Sequence, residues 1–215
     1  MKLKVLNIEG KETGREIDLL DDVFNIEPNQ HCVYLAVKQF HANNRQGTAK
    51  SKERSEMSGS TRKLHKQKGT GGSRKGDINN PLYKGGGRVF GPKPRDYSFK
   101  LNKKVKDIAR KSALSYKAKA NNIIVLEDPN FETPKTKTFI NLLSNLGVYE
   151  NKSIMVLNEN NTNAWLSSRN IPSAAVTYVS RLNIFDILNA EKLIISESSV
   201  KAIEHSFTNS ETEVA

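Results

Sequence analysis

Short apolar runs alternate with amphipathic stretches over the second half of the chain. Continuous apolar runs predict four buried strands, at residues 123–126, 153–157, 174–179 and 193–195. Helical spacing between and after them predicts helices at residues 139–146, 163–168, 184–188 and 198–207, and Thr133 followed by Pro134 is typical of a helix N-cap and first helical position. Repeated βα units predict an α/β fold with a largely parallel sheet flanked by helices.

The first third of the chain and the stretch after residue 100 also carry regular patterns. Weak alternation predicts a strand at residues 1–8, and the glycines at 10 and 14 indicate a turn. Val33, Val37 and Phe40 recur at helical spacing and predict a helix at residues 31–42. Residues 103–120 predict a helix that is basic on most sides, with the apolar face formed by Val105, Ile108, Ala109, Ala113, Tyr116 and Ala120. The polar residues 208–215 are expected to be flexible.

The pattern stops between residues 45 and 100, which we term the basic segment. Large apolar residues are few there, so the segment cannot bury enough surface to offset its ordering entropy alone. Unstructured connections longer than about 15 residues are usually functional or disordered. We therefore predict one α/β domain, residues 1–215, with a long basic extended loop inserted after the first long helix and ordered by a partner.

Charge indicates the kind of partner. The chain of 215 residues has a formal net charge of +11, and residues 45–119 hold 22 of its 34 Lys and Arg residues but only 5 of its 23 Asp and Glu residues. Such an excess favours a polyanion, either nucleic acid or an anionic surface. The candidate phosphate-binding residues are Arg45, Lys50, Lys52, Arg54, Arg62, Lys63, Lys66, Lys68, Arg74, Lys75, Lys84, Arg88, Lys93, Arg95, Lys103, Lys104, Arg110 and Lys111.

Glycines and aromatic residues are interleaved with these cations. The glycines at 69–72 and 85–87 lack the spacing of a P-loop or dinucleotide fingerprint, but they let a backbone approach a sugar-phosphate chain closely. Tyr83, Phe90 and Tyr97 are expected either to stack on bases or to anchor the base of the loop. The alternative to nucleic-acid binding is that these charges only form a solvated surface. The length of the charged segment argues against that alternative.

Catalytic and metal-binding chemistry finds little support. The four histidines are isolated, and no pair has metal-ligand spacing with a carboxylate or with Cys32. We predict no cofactor, no metal and no enzymatic activity. Two alternatives remain open from the residues: a nucleotide-dependent α/β enzyme with a basic lid, and a free RNA- or DNA-binding regulator.

The cellular location follows from the same composition. The first twenty residues lack an apolar signal core, and no apolar run approaches the roughly 18 residues that span a bilayer. A single cysteine fits a reducing compartment. We predict a cytoplasmic protein without a membrane partner.

Several strings resemble the bacterial form of the L-four family, the fourth protein of the large ribosomal subunit. They are the residues at 45–48 (RQGT), 67–71 (QKGTG), 81–83 with 85–87 (PLY, GGG), 90–97 (FGPKPRDY), 101–104 (LNKK), 110–115 (RKSALS) and 134–137 (PKTK). The strings are spread over most of the range 45–137, and the flanking α/β pattern suits the family.

The resemblance implies a structural constituent of the large subunit that binds 23S ribosomal RNA early in assembly. It implies a loop whose tip lines the nascent-peptide exit tunnel beside another looped protein and touches the passing peptide, and Lys68 matches a position linked to macrolide resistance. The tip would be Arg62, Lys63, Leu64, His65, Lys66, Gln67, Lys68, Gly69, Thr70 and Gly71.

The tip departs from the family pattern at two places. Leu64, His65 and Lys66 stand where the family usually has Pro-Trp-Arg, and Gly72 stands where it usually has Arg. An aromatic stacking group and an arginine fork are lost, which changes the expected contacts of the tip while many other cations remain.

Overall fold

The computed structural model describes residues 1–158 and 160–212 and separates them into two compact units. The first, termed the body, comprises Met1–Phe40 and Lys100–Ala215; the second, termed the basic unit, comprises His41–Phe99. The second unit coincides closely with the predicted basic segment. No helix in the described part of the chain is long and apolar enough to cross a membrane.

A six-stranded sheet forms the centre of the body. Its strands are β1 (Lys2–Leu6), β2 (Glu12–Asp18), β3 (Ile123–Leu126), β4 (Ser153–Leu157), β5 (Ala174–Tyr178) and β6 (Lys192–Ser196). They lie in the order β2-β1-β3-β6-β4-β5, and only the β1–β2 pair is antiparallel. The predicted α/β class with a largely parallel sheet is confirmed.

Seven helices accompany the sheet in the described residues. They are α1 (Asp21–Phe24), α2 (Gln30–Asn43), α3 (Lys103–Lys119), α4 (Thr136–Asn145), α5 (Thr162–Ser168), α6 (Ile184–Asn189) and α7 (Glu197–Thr212). The buried apolar residues form two clusters. Strand β6 contributes to both, since Leu193 and Ile195 belong to one cluster and Ile194 belongs to the other. Side chains of a strand alternate between faces, so a continuous apolar run marks a strand buried on both.

Strand β2 and helix α1 were not predicted from the sequence. Residues 12–18 are mostly polar because β2 is an edge strand whose side chains are largely exposed. Its charges pair across to β1, as Lys4 does with Glu12 at 2.9 Å. Charged side chains on an edge discourage pairing with another chain.

The predicted start of α4 was wrong. The helix begins at Thr136, with an extended Lys135 before it, rather than at the Thr133-Pro134 signal. The backbone just upstream is held elsewhere: Phe131 is buried, and its carbonyl accepts a hydrogen bond from Asn163 Nδ2 at 2.8 Å. This tertiary contact fixes the chain at residue 131, and the helix begins only after residue 135.

The end of α7 also differs from the prediction. Residues 208–212 continue the helix beyond its predicted end at residue 207, and residues 213–215 lie outside the described residues. The hydroxyl of Thr208 donates back to the carbonyl oxygens of Glu204 and His205. A side-chain hydrogen bond of this kind is compatible with a continuing helix.

Helix α3 buries part of the predicted face, since Ala109 and Ala113 are fully buried, but the rest of its buried surface differs from the prediction. Ile108 is 42 % exposed and Ala120 is also exposed, whereas Ser112 and Ser115 are fully buried. Their hydroxyls accept hydrogen bonds from the backbone N–H groups of Asn29 (3.0 Å) and Ile26 (3.2 Å). The two serines thus fix the turn between α1 and α2 against α3.

Candidate nucleic-acid interface

The basic unit is closed by backbone hydrogen bonds between its two halves. We term these halves, residues 45–59 and 77–99, the stem, and the intervening residues 60–76 the middle loop. Three backbone bonds cross the stem: Arg95 N donates to Gly47 O (3.2 Å), Ser51 N to Pro92 O (3.1 Å) and Arg88 N to Lys52 O (3.0 Å). The stem therefore has internal structure, although one 3₁₀ turn (Arg54–Glu56) is its only regular element in the described residues.

Two glycines let the halves of the stem come this close. A Cβ at Gly47 would lie 2.1 Å from the carbonyl oxygen of Arg95, and φ at Gly47 is +68°. A Cβ at Gly87 would lie 2.4 Å from the backbone nitrogen of Arg54. These glycines serve chain-on-chain packing, whereas Gly69, Gly71 and Gly72 face open space and keep the predicted freedom to approach a ligand.

Three carboxylates of the stem pair with its own cations. Glu56 accepts from Lys50, Lys93 lies 2.9 Å from Glu53, and Asp77 accepts from Arg54 at 2.9 Å. The hydrogen bond from Lys50 and the backbone N–H of Glu53 lower the pKa of Glu56, and Glu53 raises the pKa of Lys93. Lys50, Arg54 and Lys93 were predicted to bind phosphate, and here they also hold the stem together.

Of the predicted aromatic residues, Tyr97 anchors the stem and Phe90 stays exposed. The ring of Tyr97 contacts the guanidinium groups of Arg45 (4.0 Å from the ring centre) and Arg95 (4.6 Å), so it anchors the base of the stem. A hydrogen bond from Arg95, followed by the charges of Arg95 and Arg45, lowers the pKa of Tyr97. Phe90 is 100 % exposed and Leu82 is 90 % exposed, which leaves these two side chains available to a partner.

The middle loop carries cations without compensating acids. Every residue from 60 to 74 is exposed, and the backbone bond from Leu64 N to Gly76 O closes the loop at 3.0 Å. No cation of this loop forms an ion pair with a carboxylate of the described residues. The cations concerned are Arg62, Lys63, Lys66, Lys68, Arg74 and Lys75. All residues of the predicted tip lie within this loop.

The four predicted cations of α3 fall into two pairs. Lys103 and Lys104 are exposed at the start of the helix. Arg110 is 3.8 Å from Asp107 on the same helix, and the ammonium of Lys111 lies 5.7 Å from the ring centre of Phe207. The first pair is the more available to a phosphate, because the second already has partners in the body.

The carboxyl ends of β3, β4 and β6 open into a polar cavity of about 590 Å³, the place where α/β enzymes bind nucleotides. Phosphates at such sites lie on the free N–H groups of a helix N-terminus. Here Asp128 Oδ1 takes that position at α7, accepting from Ser198 N (3.3 Å) and Ser198 Oγ (2.6 Å). A carboxylate already fills the anion position, which argues against the nucleotide-dependent enzyme.

Within residues 1–158 and 160–212, no group of three or more His, Cys, Asp or Glu side chains could hold a metal ion. The structure instead singles out a residue that sequence reasoning missed, Asp77, the acid buried among the cations of the stem. Its only sequence signal is that it is one of few acids in the basic segment.

Comparisons with known proteins match the chain to one family. The profile of the ribosomal protein L4/L1 family matches residues 17–206. The chain is 60 % identical over 205 residues to a protein of Phocaeicola vulgatus, covering 95 % of this chain and 99 % of that protein. It is 58 % identical over 208 residues to a protein of Flavobacterium johnsoniae, covering 97 % and 100 %. Both relatives are named large ribosomal subunit protein uL4.

Proposed function

The chain belongs to the ribosomal protein L4/L1 family and is a structural constituent of the large ribosomal subunit, and we propose that the basic unit is the part that engages 23S ribosomal RNA. Family membership also makes it a structural protein rather than an enzyme, working in the bacterial cytoplasm where the subunit acts. The body supplies a folded platform, and the basic unit supplies the phosphate-binding charge.

The single observation that supports this division most strongly is the middle loop. Its six cations have no acidic partner in the described chain, its residues 60–74 are all exposed, and all four of its glycines have open space where a Cβ would lie. Such a loop is costly to order alone, and contacts to phosphates with release of counterions offset that cost. We therefore place the main RNA contacts at residues 60–76, flanked by Lys52, Lys84 and Arg88 of the stem.

The loop tip extends the proposal from RNA to the exit tunnel. In this proposal the basic unit is an extended loop that reaches through the 23S rRNA, and residues 62–71 line the tunnel beside a second looped protein and the passing nascent peptide. Leu64 and His65 then stand where the family pattern has Pro and the bulkier Trp, and the Leu64 side chain is 42 % exposed. Gly72 stands where the family has an arginine, so one guanidinium group is lost. The tunnel wall would be smoother and less cationic at this point, and Lys68 would remain the residue that affects macrolide response.

The proposed RNA contacts are tested by the salt dependence of binding. We compare the full chain with a variant lacking residues 60–75 in binding to 23S rRNA transcribed in vitro, over a series of salt concentrations. The deletion removes six cations, so the slope of log K against log salt should fall by up to about 4, at roughly 0.7 per phosphate. A length-matched variant with these six cations changed to Gln should show the same loss.

Two readouts would contradict the proposal. An unchanged slope in both variants would place the RNA contacts elsewhere, and loss of the body's circular-dichroism signal on deletion would make the loop part of the folding core. The assignment to the subunit is checked separately by fractionation. If the endogenous protein were absent from the large-subunit peak of a low-salt gradient, a free nucleic-acid-binding regulator would be the better description.

A further inference from the structure

Residues 89–91 form a bulge on one half of the stem, which we term the Phe90 bulge. At one end of it, Arg88 N donates to Lys52 O (3.0 Å). At the other end, Pro92 O accepts from Ser51 N (3.1 Å). The two points of attachment are adjacent in one half of the stem, at 51 and 52, but four residues apart in the other, at 88 and 92. The three residues between them therefore have to project from the stem.

Gly91 shows which part of the bulge faces the stem. A Cβ at Gly91 would collide with the hydroxyl oxygen of Ser51, so this position packs against the other half and leaves no room for a side chain. Val89, by contrast, is 57 % exposed and Phe90 is 100 % exposed. The ring of Phe90 therefore contributes nothing to folding through burial, although the backbone on both sides of it is attached.

Phe90 differs in this respect from the other two aromatic residues predicted to stack or to anchor. The ring of Tyr97 is occupied by Arg45 and Arg95, and Tyr83 is half-buried with an enclosed hydroxyl. A fully exposed ring offers its whole face to a ligand. An aromatic side chain has only two torsions to fix, so a ring on an attached backbone loses little conformational freedom when a ligand stacks on it.

The charge around the bulge indicates the kind of ligand. Residues 78–95 include four cations and no acid. Two of these cations, Lys84 and Arg88, are exposed and form no ion pair with a carboxylate of the described residues. The Arg88 side chain starts beside the bulge, since its Cβ is 3.5 Å from the position that a Cβ at Gly91 would take. A nucleotide combines a flat aromatic face with a phosphate, so it complements the ring and the cation together.

We propose that the Phe90 bulge is a stacking site for one unpaired base of the 23S rRNA, with an adjacent phosphate bound by Arg88. Proteins recognise single-stranded RNA by stacking splayed bases on aromatic side chains, and every base has a face that can stack. This inference rests on the RNA-binding function proposed above. It adds to the charged contacts of the middle loop a contact that does not depend on charge.

A change that removes the ring but keeps an apolar side chain tests the proposal. Phe90→Leu should weaken binding of the full chain to 23S rRNA transcribed in vitro by about tenfold, the loss expected for one base–aromatic stack. Because no cation is removed, the slope of log K against log salt should stay that of the wild type, unlike the slopes of the two middle-loop variants. Phe90→Tyr keeps the ring and should bind as the wild type does.

Tyr149→Leu is the matched control for the loss of an exposed aromatic side chain. Tyr149 is 47 % exposed and belongs to the body, outside the basic unit. The control variant should bind the rRNA with the affinity and the salt slope of the wild type. Trypsin should cleave the stem of Phe90→Leu at the wild-type rate, because a fully exposed ring holds no part of the stem together.

Fluorescence reports the stacking itself. Phe90→Trp combined with Trp165→Phe places the single indole of the chain in the bulge. Stacking on a base quenches indole emission, so addition of the rRNA should reduce the emission of this variant. The same pair of changes made with Tyr149→Trp in place of Phe90→Trp places the indole in the body, and its emission should stay unchanged.

The outcomes separate this site from the function on which it rests. If the wild-type chain does not bind the rRNA at all, the proposed function fails together with the stacking site. If it binds but Phe90→Leu binds equally well, or if the indole in the bulge is not quenched in the complex, only the stacking site is wrong, and Phe90 faces a protein or solvent. If Phe90→Leu lowered the salt slope together with the affinity, the loss would come from displaced cations, and the stacking site would again be wrong.

Discussion

The body and the basic unit are stabilised in different ways. The body buries two apolar clusters on the faces of its sheet, with Leu193, Ile194 and Ile195 completely inaccessible. The basic unit relies on backbone hydrogen bonds, close glycine contacts and ion pairs. Among the described residues, both buried side-chain polar atoms without a partner, Asp77 Oδ1 and Tyr83 Oη, belong to the basic unit.

This difference shows which unit needs another molecule. The body satisfies its buried polar side chains internally, as Ser112 and Ser115 do with backbone N–H groups. The basic unit leaves acceptors, cations and the fully exposed Phe90 unsatisfied, so its own chain provides only part of its contacts. Mutations in the body should therefore affect folding, whereas mutations in the basic unit should affect binding.

The largest effect is expected when a buried side chain in the core of the body is truncated. Phe139 is completely buried in α4, with its ring centre 6.0 Å from that of Phe131. Phe139→Ala should lower the free energy of unfolding of the body by about 3 to 5 kcal/mol, from lost burial and the cavity left behind. Urea unfolding followed by fluorescence of Trp165, the single tryptophan and a residue of the body, measures this directly. A loss under about 1 kcal/mol would show that the cluster can collapse around the gap.

A smaller and local effect is expected at Gly47 in the stem. Gly47→Ala places a Cβ 2.1 Å from Arg95 O, which should open this end of the stem at a local cost on the order of 1 to 3 kcal/mol. Trypsin should then cleave the stem about tenfold faster or more, while the unfolding curve from Trp165 stays within about 0.5 kcal/mol of the wild type.

Gly71 provides the control for that experiment. Its φ is also +68°, but nothing lies within 4 Å of a Cβ built there. Gly71→Ala therefore carries the same backbone strain without the collision. Equal cleavage of the stem in the two variants would mean that the close contact between Gly47 and Arg95 does not hold the stem.

The division between the units was partly readable from the sequence. Strands β3 to β6 were predicted because strands buried on both faces are continuous apolar runs, and the basic segment was predicted because charge and glycine replace that pattern. Strand β2 was not predicted because an exposed edge strand has no continuous apolar run. The start of α4 was predicted wrongly because the backbone at Phe131 is bonded by Asn163, a residue distant in sequence.

The candidate site was predictable in its charge but not in its internal contacts. Composition indicates a phosphate-binding surface and gives its cations. It does not show that Asp77 meets Arg54, 23 residues earlier, since that pairing depends on the path of the two halves of the stem. It also gives every glycine the same freedom, whereas Gly47 is constrained by its neighbours and Gly71 is not.

The smallest expected effect is a difference in how two acids of the stem respond to pH and salt. Hydrogen bonds from Lys50 and from the backbone N–H of Glu53 lower the pKa of Glu56 from its ordinary 4.5, and those from Ser98 lower the pKa of Asp96 from its ordinary 3.8. A carboxyl with a lowered pKa in the folded state stabilises the stem above its ordinary pKa, and this contribution is lost as pH falls through the folded value. Burial raises the pKa of Asp186 in the body, so its contribution has the opposite sign: it is present at low pH and lost as pH rises from 3.8 through the folded value.

Amide chemical shifts of Glu53 and Ser98, whose N–H groups donate to Glu56 and Asp96, follow these two titrations. Both midpoints should lie below the ordinary values. High salt should raise the Glu56 midpoint because it screens the charge of Lys50, and it should move Asp96 less because Ser98 is a neutral donor. Lys50→Ala should likewise raise the Glu56 midpoint alone. If salt and Lys50→Ala left Glu56 unchanged, the ion pair would be absent in solution, and Lys50 would be free for phosphate like the cations of the middle loop.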